Sequence, residues 1–246
     1  MDHQTKVALK SDQFVTTTTH GIEWASENRK SVIVTTSLVL LAILIVVLSA
    51  VIYNKRSQAA SVALGAALQA YQTPIAAPGQ QVPPGVKTYP SVEERAKAAN
   101  ALFMATADKY SMTPDGKVSR YFGGLTYMEE RQNGPAESTL KDVASGWNHD
   151  LAALAKLALA QIYRQTGRDA QAIELYNQLD SKPTNTVPAG LAKLQLADLY
   201  TVQGKPEEAK KIYAQLKDKD AKSAAGQIAA QKLNPTPAGQ PGIQQQ

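Results

Sequence analysis

The stretch "GWNHD", residues 146–150, is the place in this 246-residue chain where an aromatic ring, an amide, an imidazole and a carboxylate stand together. Such a set could hold a small ligand, or move a proton through His149 and Asp150. The rest of the machinery is missing from the sequence. The other histidines are His3 and His20 and there is no cysteine, so a lone imidazole cannot complete a nitrogen- and sulfur-ligated metal site. Disulfides and thiol chemistry are excluded with the cysteines. No Walker phosphate loop, G-x-G-x-x-G, H-E-x-x-H or G-x-S-x-G occurs. The plainer reading of 146–150 is a turn between helices, with Trp147 packed and Asp150 capping the next helix. The charged "DKDAK", residues 218–222, reads as a solvated turn.

Charge does not supply a function either. The net charge is +5, of which +2 falls in the first 56 residues, where six basic side chains face four acidic ones. The remaining +3 is spread over 190 residues, whereas a nucleic-acid footprint requires clustered basic residues. No cofactor is implied by any motif.

One segment is unambiguous in composition. Residues 32–53, "VIVTTSLVLLAILIVVLSAVIY", carry no charge, and as a helix would rise about 33 Å, enough for a hydrocarbon core of roughly 30 Å. Charged collars flank it, "NRK" at 28–30 and "NKR" at 54–56, with Trp24 and Tyr53 placed as interfacial anchors. The run is longer than a cleaved signal's apolar core and begins some thirty residues in, so it reads as an uncleaved signal anchor. Lys10, Arg29 and Lys30 on one side against Lys55 and Arg56 on the other lean toward an N-terminus, residues 1–31, in the cytoplasm.

Residues 57–72 are alanine-rich, with Leu64, Leu68 and Tyr71 at helical spacing, so a helix continues or restarts past the apolar run. Five prolines in residues 73–90 make an extended loop or linker. Ser91 followed by Glu94 reads as a capping box opening a new helix. Residues 234–246 lack the apolar content to pack and read as a disordered tail.

Between these limits one pattern recurs. A small residue is followed by an aromatic three later, an alanine nine after that, a large apolar residue four on and another three further. Gly124, Tyr127, Ala136, Leu140 and Val143 obey it; so do Ala160, Tyr163, Ala172, Tyr176 and Leu179, and Ala197, Tyr200, Ala209, Tyr213 and Leu216. Ala99 and Phe103 make a half-copy, and the alanines at 99, 136, 172 and 209 are spaced by 37, 36 and 37. Separations of three and four stay on one helix face, while the nine crosses a turn marked by Gly167 and Gly204. Each copy is therefore a helical hairpin, and because one hairpin cannot bury its apolar face the copies must stack over 57–233. Tyr127, Tyr163, Tyr176, Tyr200 and Tyr213 are expected in the core. The fold class is all-α.

The skeleton resembles the tetratricopeptide repeat, with departures: Arg120, Lys156 and Lys193 stand at its tryptophan position, and Asn148, Thr184 and Ala221 at its proline position. Anchor helix, alanine-rich helix and about three and a half repeats together resemble the family of membrane-anchored tetratricopeptide-like proteins that includes the ancillary subunit of the bacterial Sec translocon, with a related repeat domain in a cell-division coordinator. The resemblance implies a single-pass protein of the bacterial inner membrane, its repeats in the periplasm. It further implies a non-enzymatic scaffold whose partners are translocon subunits, periplasmic chaperones or exported clients. A scaffold for cell-division or envelope-assembly machinery is the alternative, and an envelope enzyme or ligand binder using 147–150 a third.

Carried over by position, the binding groove would be lined by the first helix of each copy. It would hold Val118, Tyr121, Leu125 and Met128, then Leu154, Leu157, Gln161 and Arg164, then Leu191, Leu194, Asp198 and Thr201. That set is more apolar than charged and suits apolar or extended segments. Its leucines have a competing use in packing against neighbouring helices, which share the same periodicity.

Overall fold

The computed structural model describes residues 28–76, 79 and 83–234. The expectations for the N-terminal segment with Trp24, for part of the proline-rich loop and for the tail beyond Asn234 fall outside the described residues. Helix α1 is Arg29–Gln72, α2 Val92–Lys109, α3 Pro114–Glu129, α4 Asn133–Ala144, α5 His149–Gln165, α6 Asp169–Ser181, α7 Ala189–Val202, α8 Pro206–Lys219 and α9 Ala224–Leu233. Among the described residues, β-pairing is confined to one bridge between Ile75 and Tyr89. The chain divides into two compact units, Met1–Arg56 and Ser57–Gln246.

In the first unit, α1 is long and apolar enough to cross a membrane by length and composition, and its apolar side chains, Leu40 and Ile45 among them, are exposed. No break separates the apolar run from the alanine-rich segment: both belong to α1.

In the second unit the repeat pattern becomes hairpins α3–α4, α5–α6 and α7–α8. Ala99, Ala136, Ala172 and Ala209 are all buried, each where a second helix meets its partner. The small residue opposite has the same cause. A Cβ on Gly124 would lie 2.7 Å from the Leu140 side chain, so Leu140 would have to move to admit it.

The half-copy finds its missing helix in α1. Ala67 packs with Ala99 and Phe103, and Leu64, Leu68 and Tyr71 cover them. Ala67 precedes Ala99 by 32 residues where Ala160 precedes Ala172 by 12, so the first hairpin is the same unit with the proline-rich segment inserted at its turn. The two ends of that insert are joined by Ala76 N–H to the Tyr89 carbonyl and Tyr89 N–H to the Pro74 carbonyl, each 3.0 Å. An aromatic trio locks the three helices: Phe103 stacks on Phe122 at 5.2 Å, and Tyr71 meets both edge-on. Ser91 caps α2 as expected, its hydroxyl accepting from Glu94 N–H at 3.1 Å.

The hairpin turns share one geometry. Gly167 N–H bonds the Arg164 carbonyl and Arg168 N–H reaches back to Tyr163, the paired bonds of a Schellman motif. Gly204 and Lys205 repeat it on Thr201 and Tyr200, and Arg131 and Gln132 on Met128 and Tyr127. The aromatic of each copy thus anchors both core and turn. The motif requires left-handed backbone, and φ is +71° at Gly167, +72° at Gly204 and +58° at Arg131. In the α3–α4 hairpin an arginine occupies the glycine position.

Polar ties occupy the family's tryptophan position. Arg120 reaches Asp142 at 3.4 Å and Lys156 reaches Gln178 at 3.2 Å, each joining the two helices of its own hairpin, while Lys193 reaches back to Asp180 at 3.3 Å and joins α7 to the preceding α6. Solvent-facing polar contacts such as these fix orientation more than they add stability.

Left-handed backbone costs an L-residue on the order of 1 kcal/mol that glycine avoids. Arg131→Gly should therefore raise the unfolding free energy by about 0.5–1 kcal/mol, and Gly204→Ala lower it by about 1 kcal/mol. Chemical denaturation of the detergent-solubilised protein, followed by helical circular dichroism, reads both.

Candidate functional site: the face of the first helices

The first helices of the hairpins, α3, α5 and α7, carry the residues expected to line a groove, and they divide into two groups. Tyr121, Leu125 and Met128 are half-buried against the cluster formed by α4 and α5, and Val118 is also half-buried. Leu154, Leu157 and Leu191 pack around Leu179 and Val187, at the junction of α5, α6 and α7. Leu194 is buried with Ala197, Tyr213 and Leu216. Leu154, Leu157 and Leu191 tie one hairpin to the next and Leu194 fills the core between its own hairpin and α9, so the apolar groove expected from them is largely filled by the stack's own packing.

The polar members stay accessible. Gln161 and Thr201 are exposed and Arg164 half-buried, its guanidinium donating to Gln195 Oε1 at 3.2 Å. Gln161 and Arg164, with Asp169, Leu199 and Val202, line an open cleft of about 570 Å³ between α5 and α7. Val202, 77% exposed in the last turn of α7, is its exposed apolar side chain, Leu199 being buried. Sequence reasoning passed over Val202 because its counterpart one repeat earlier is Gln165, so it belongs to no repeated apolar position.

Asp198 is committed elsewhere. It accepts from the Tyr213 hydroxyl at 2.6 Å and from Lys232 at 3.1 Å, which joins α7 to α8 and α9. Burial, and then the bond to Asp198, pushes the Tyr213 hydroxyl up to about 12. Tyr176 and Tyr163 are buried as expected, while Tyr127 and Tyr200 are only half-buried, each at the mouth of its turn.

The 146–150 stretch departs from expectation in two ways. Trp147 is 82% exposed instead of packed. The cap of α5 is Asn148, whose Oδ1 accepts from Leu151 N–H at 3.1 Å; Asp150 sits inside the first turn, where its carbonyl accepts from Thr186 at 2.9 Å. Asn148 stands at the residue whose backbone is still extended, whereas Asp150 is already helical, and capping requires the extended residue. His149 is exposed beside them. Among the described residues no group of three or more acidic, histidine or cysteine side chains is placed to hold a metal.

Glu137 is the strongest electrostatic feature. Arg168 at 2.7 Å and Lys141 at 2.7 Å hold its carboxyl down to about 2, the hydrogen bond from Arg168 contributing most. The bond runs from α4 across to the turn before α6, and Arg168 also stacks 4.5 Å from the Tyr163 ring. Its work is to clip one hairpin to the next.

A face of stacked hairpins with an open cleft, and perturbed groups engaged in joining helices, has the anatomy of a binding scaffold. The family model described as "Tetratricopeptide repeat-like domain" matches residues 23–236. The chain belongs to that family. Such domains are generally non-catalytic mediators of protein–protein contact, and this one carries a candidate membrane-crossing helix within the matched region. Neither the curated proteins nor the solved structures include a significant match to it.

Two measurements follow. Leu194→Ala should cost about 2–5 kcal/mol of stability, as a large-to-small change in a core, while Gln161→Ala should change stability by less than about 0.5 kcal/mol. For Glu137 the folded carboxyl lies below its unfolded value, so its contribution is full above about pH 4.3 and fades as pH falls toward 2. The difference in melting temperature between the wild type and Glu137→Gln should be largest at neutral pH and shrink steadily between pH 5 and pH 2.

Proposed function

We propose that this protein is a single-pass membrane-anchored scaffold that presents its tetratricopeptide-like stack to protein partners. The observation that carries the reading is α1: 22 uncharged residues with solvent-facing apolar side chains lead, within one helix, into the alanine-rich segment that completes the first hairpin. A removable signal has no reason to share a helix with a core element. In this protein the anchor and the scaffold are joined without a linker.

The charge collars favour residues 1–31 in the cytoplasm and the stack, residues 57–233, on the exported side. With that orientation in a bacterial inner membrane, the resemblance to the ancillary translocon subunit's family suggests a place beside the Sec translocon, engaging its subunits, periplasmic chaperones or emerging clients. The partner-facing surface is the cleft at Gln161, Arg164 and Val202, with the exposed Thr201 next to Val202 in the chain and the half-buried Val118, Tyr121, Leu125 and Met128 continuing the face along α3. A half-polar cleft of this kind suits an extended segment that offers backbone hydrogen bonds and an occasional apolar side chain.

Photo-cross-linking in cells from Gln161, Thr201 and Val202, with Lys210 on the solvated side of α8 as control, tests partner and surface together. The expected result is capture of translocon or chaperone subunits from the three positions on this face and not from Lys210. Capture of none, or equal capture from Lys210, would remove the proposal.

A further inference from the structure

The second unit has a definite polarity along its helices. Ser61 on α1 donates to Asp115 at the start of α3, and Tyr71 at the end of α1 donates to Glu129 at the end of α3, so these helices run parallel. Arg95, in the first turn of α2, stands over the Tyr71 ring at 5.1 Å, so α2 runs back the other way. The α2–α3 turn, 110–113, therefore lies at the end of the stack where the chain arrives from Ser57. The α4–α5 turn, 145–148, lies at the same end, because Arg120 in α3 reaches Asp142 and Lys117 stands 4.6 Å over the Trp147 ring. Ser111 and Trp147 line one cavity of about 340 Å³ between these turns.

That end also collects the misplaced apolar surface. Among the described residues outside 32–53, the large hydrophobic side chains more than three-quarters exposed are Val62 at 76%, Met112 at 83%, Trp147 at 82% and Val202 at 77%. Three of the four sit at the end nearest Ser57. Nothing in the fold requires a tryptophan in a two-helix link to face water.

The chain itself limits how far this end can be from a bilayer. Ser61 follows Tyr53, the last residue of the apolar run, by eight residues. That is a rise of about 12 Å as helix and no more than about 28 Å however the backbone is drawn out. The headgroup layer occupies roughly the first 5–8 Å of that distance. Met112 and Trp147 stand in turns at the same end of the stack as Ser61, the residue that this tether keeps near the bilayer. Tryptophan partitions there, with its ring among the acyl-chain ends and its N–H toward water.

We propose that the end of the stack nearest Ser57 rests in the lipid interface through Met112 and Trp147, a second membrane contact that holds the repeats against the bilayer. The proposal rests on the anchored reading above. Charge tells which lipid surface is meant. Around the two turns Lys109, Lys117 and Arg120 are matched by Asp108, Asp115 and Asp142, and Arg120 is bonded to two of these acids. The contact is therefore apolar insertion into any phospholipid interface, without a requirement for anionic lipid. Lys117, lying over the indole, can keep its ammonium at the phosphate level while its stem follows the ring inward.

The sequence has two tryptophans, so Trp24→Phe leaves Trp147 as the sole reporter. The full chain carrying this change is reconstituted into phosphatidylcholine vesicles with and without acyl-brominated lipid, and flotation shows whether it is membrane-bound. A control with Trp24→Phe, Trp147→Phe and Val202→Trp puts the reporter at the opposite end of the stack. The expected outcome is that Trp147 fluorescence falls at least twofold with brominated lipid, equally at low and high salt, while the reporter at 202 is unaffected. If the protein floats and Trp147 is quenched no more than the reporter at 202, the docking proposal is overturned and the anchor stands. If the protein does not float, the anchored reading fails and this inference fails with it.

Discussion

Where Ala99, Ala136, Ala172 and Ala209 meet the facing helix there is room for a methyl group and little else, and the spacing of every hairpin descends from that contact. With the backbones this close, the aromatic one turn away fills the flank, and its carbonyl is positioned to receive the N–H that closes the left-handed turn. The turn fixes where the second helix starts, and so where its next apolar residues, Leu140, Tyr176 or Tyr213, enter the core. A larger residue at any of these alanines would part the helices and misplace everything after it. Because each hairpin buries its second face only against a neighbour, the constraint is passed from copy to copy.

The same economy decides what is left for binding. Leucines at helical spacing on α5 and α7 would make an apolar groove if the hairpins stood apart, but the hairpins do not stand apart. Leu154, Leu157 and Leu191 are consumed at the junctions, Leu194 in the core that α7 forms with α8 and α9, and Asp198 by Tyr213 and Lys232. What remains open is the rim between successive turns, where Gln161, Arg164 and Val202 meet at a cleft. As the proposed partner surface, this rim is a narrow polar strip with isolated apolar points, which favours extended segments over broad surfaces.

Much of the fold could be read from spacing alone, because the alanine, the aromatic and the turn glycine each answer a demand local to one hairpin. The first hairpin escaped that reading since its turn holds an inserted proline-rich segment, and a rule written in fixed offsets cannot cross twenty additional residues to pair Ala67 with Ala99. Arg131 hid the α3–α4 turn in the same way, as an arginine where glycine is expected. The candidate site was harder. Periodicity places Leu157 and Gln161 on one face of α5 but does not say that the neighbouring hairpin covers the first and spares the second; that depends on the rotation between copies, which no single-helix pattern encodes. Trp147 illustrates the opposite error: a tryptophan in a link reads as core on average, and only the arrangement of two adjacent turns shows it standing in solvent.

The central claim is that the apolar run stays with the mature chain as an anchor and is continuous with the scaffold. Intact-mass determination of the protein recovered from alkaline-washed membranes tests this directly. The account predicts that the chain resists extraction and retains residues 32–53. A chain released into the soluble fraction, beginning beyond Tyr53, would contradict it.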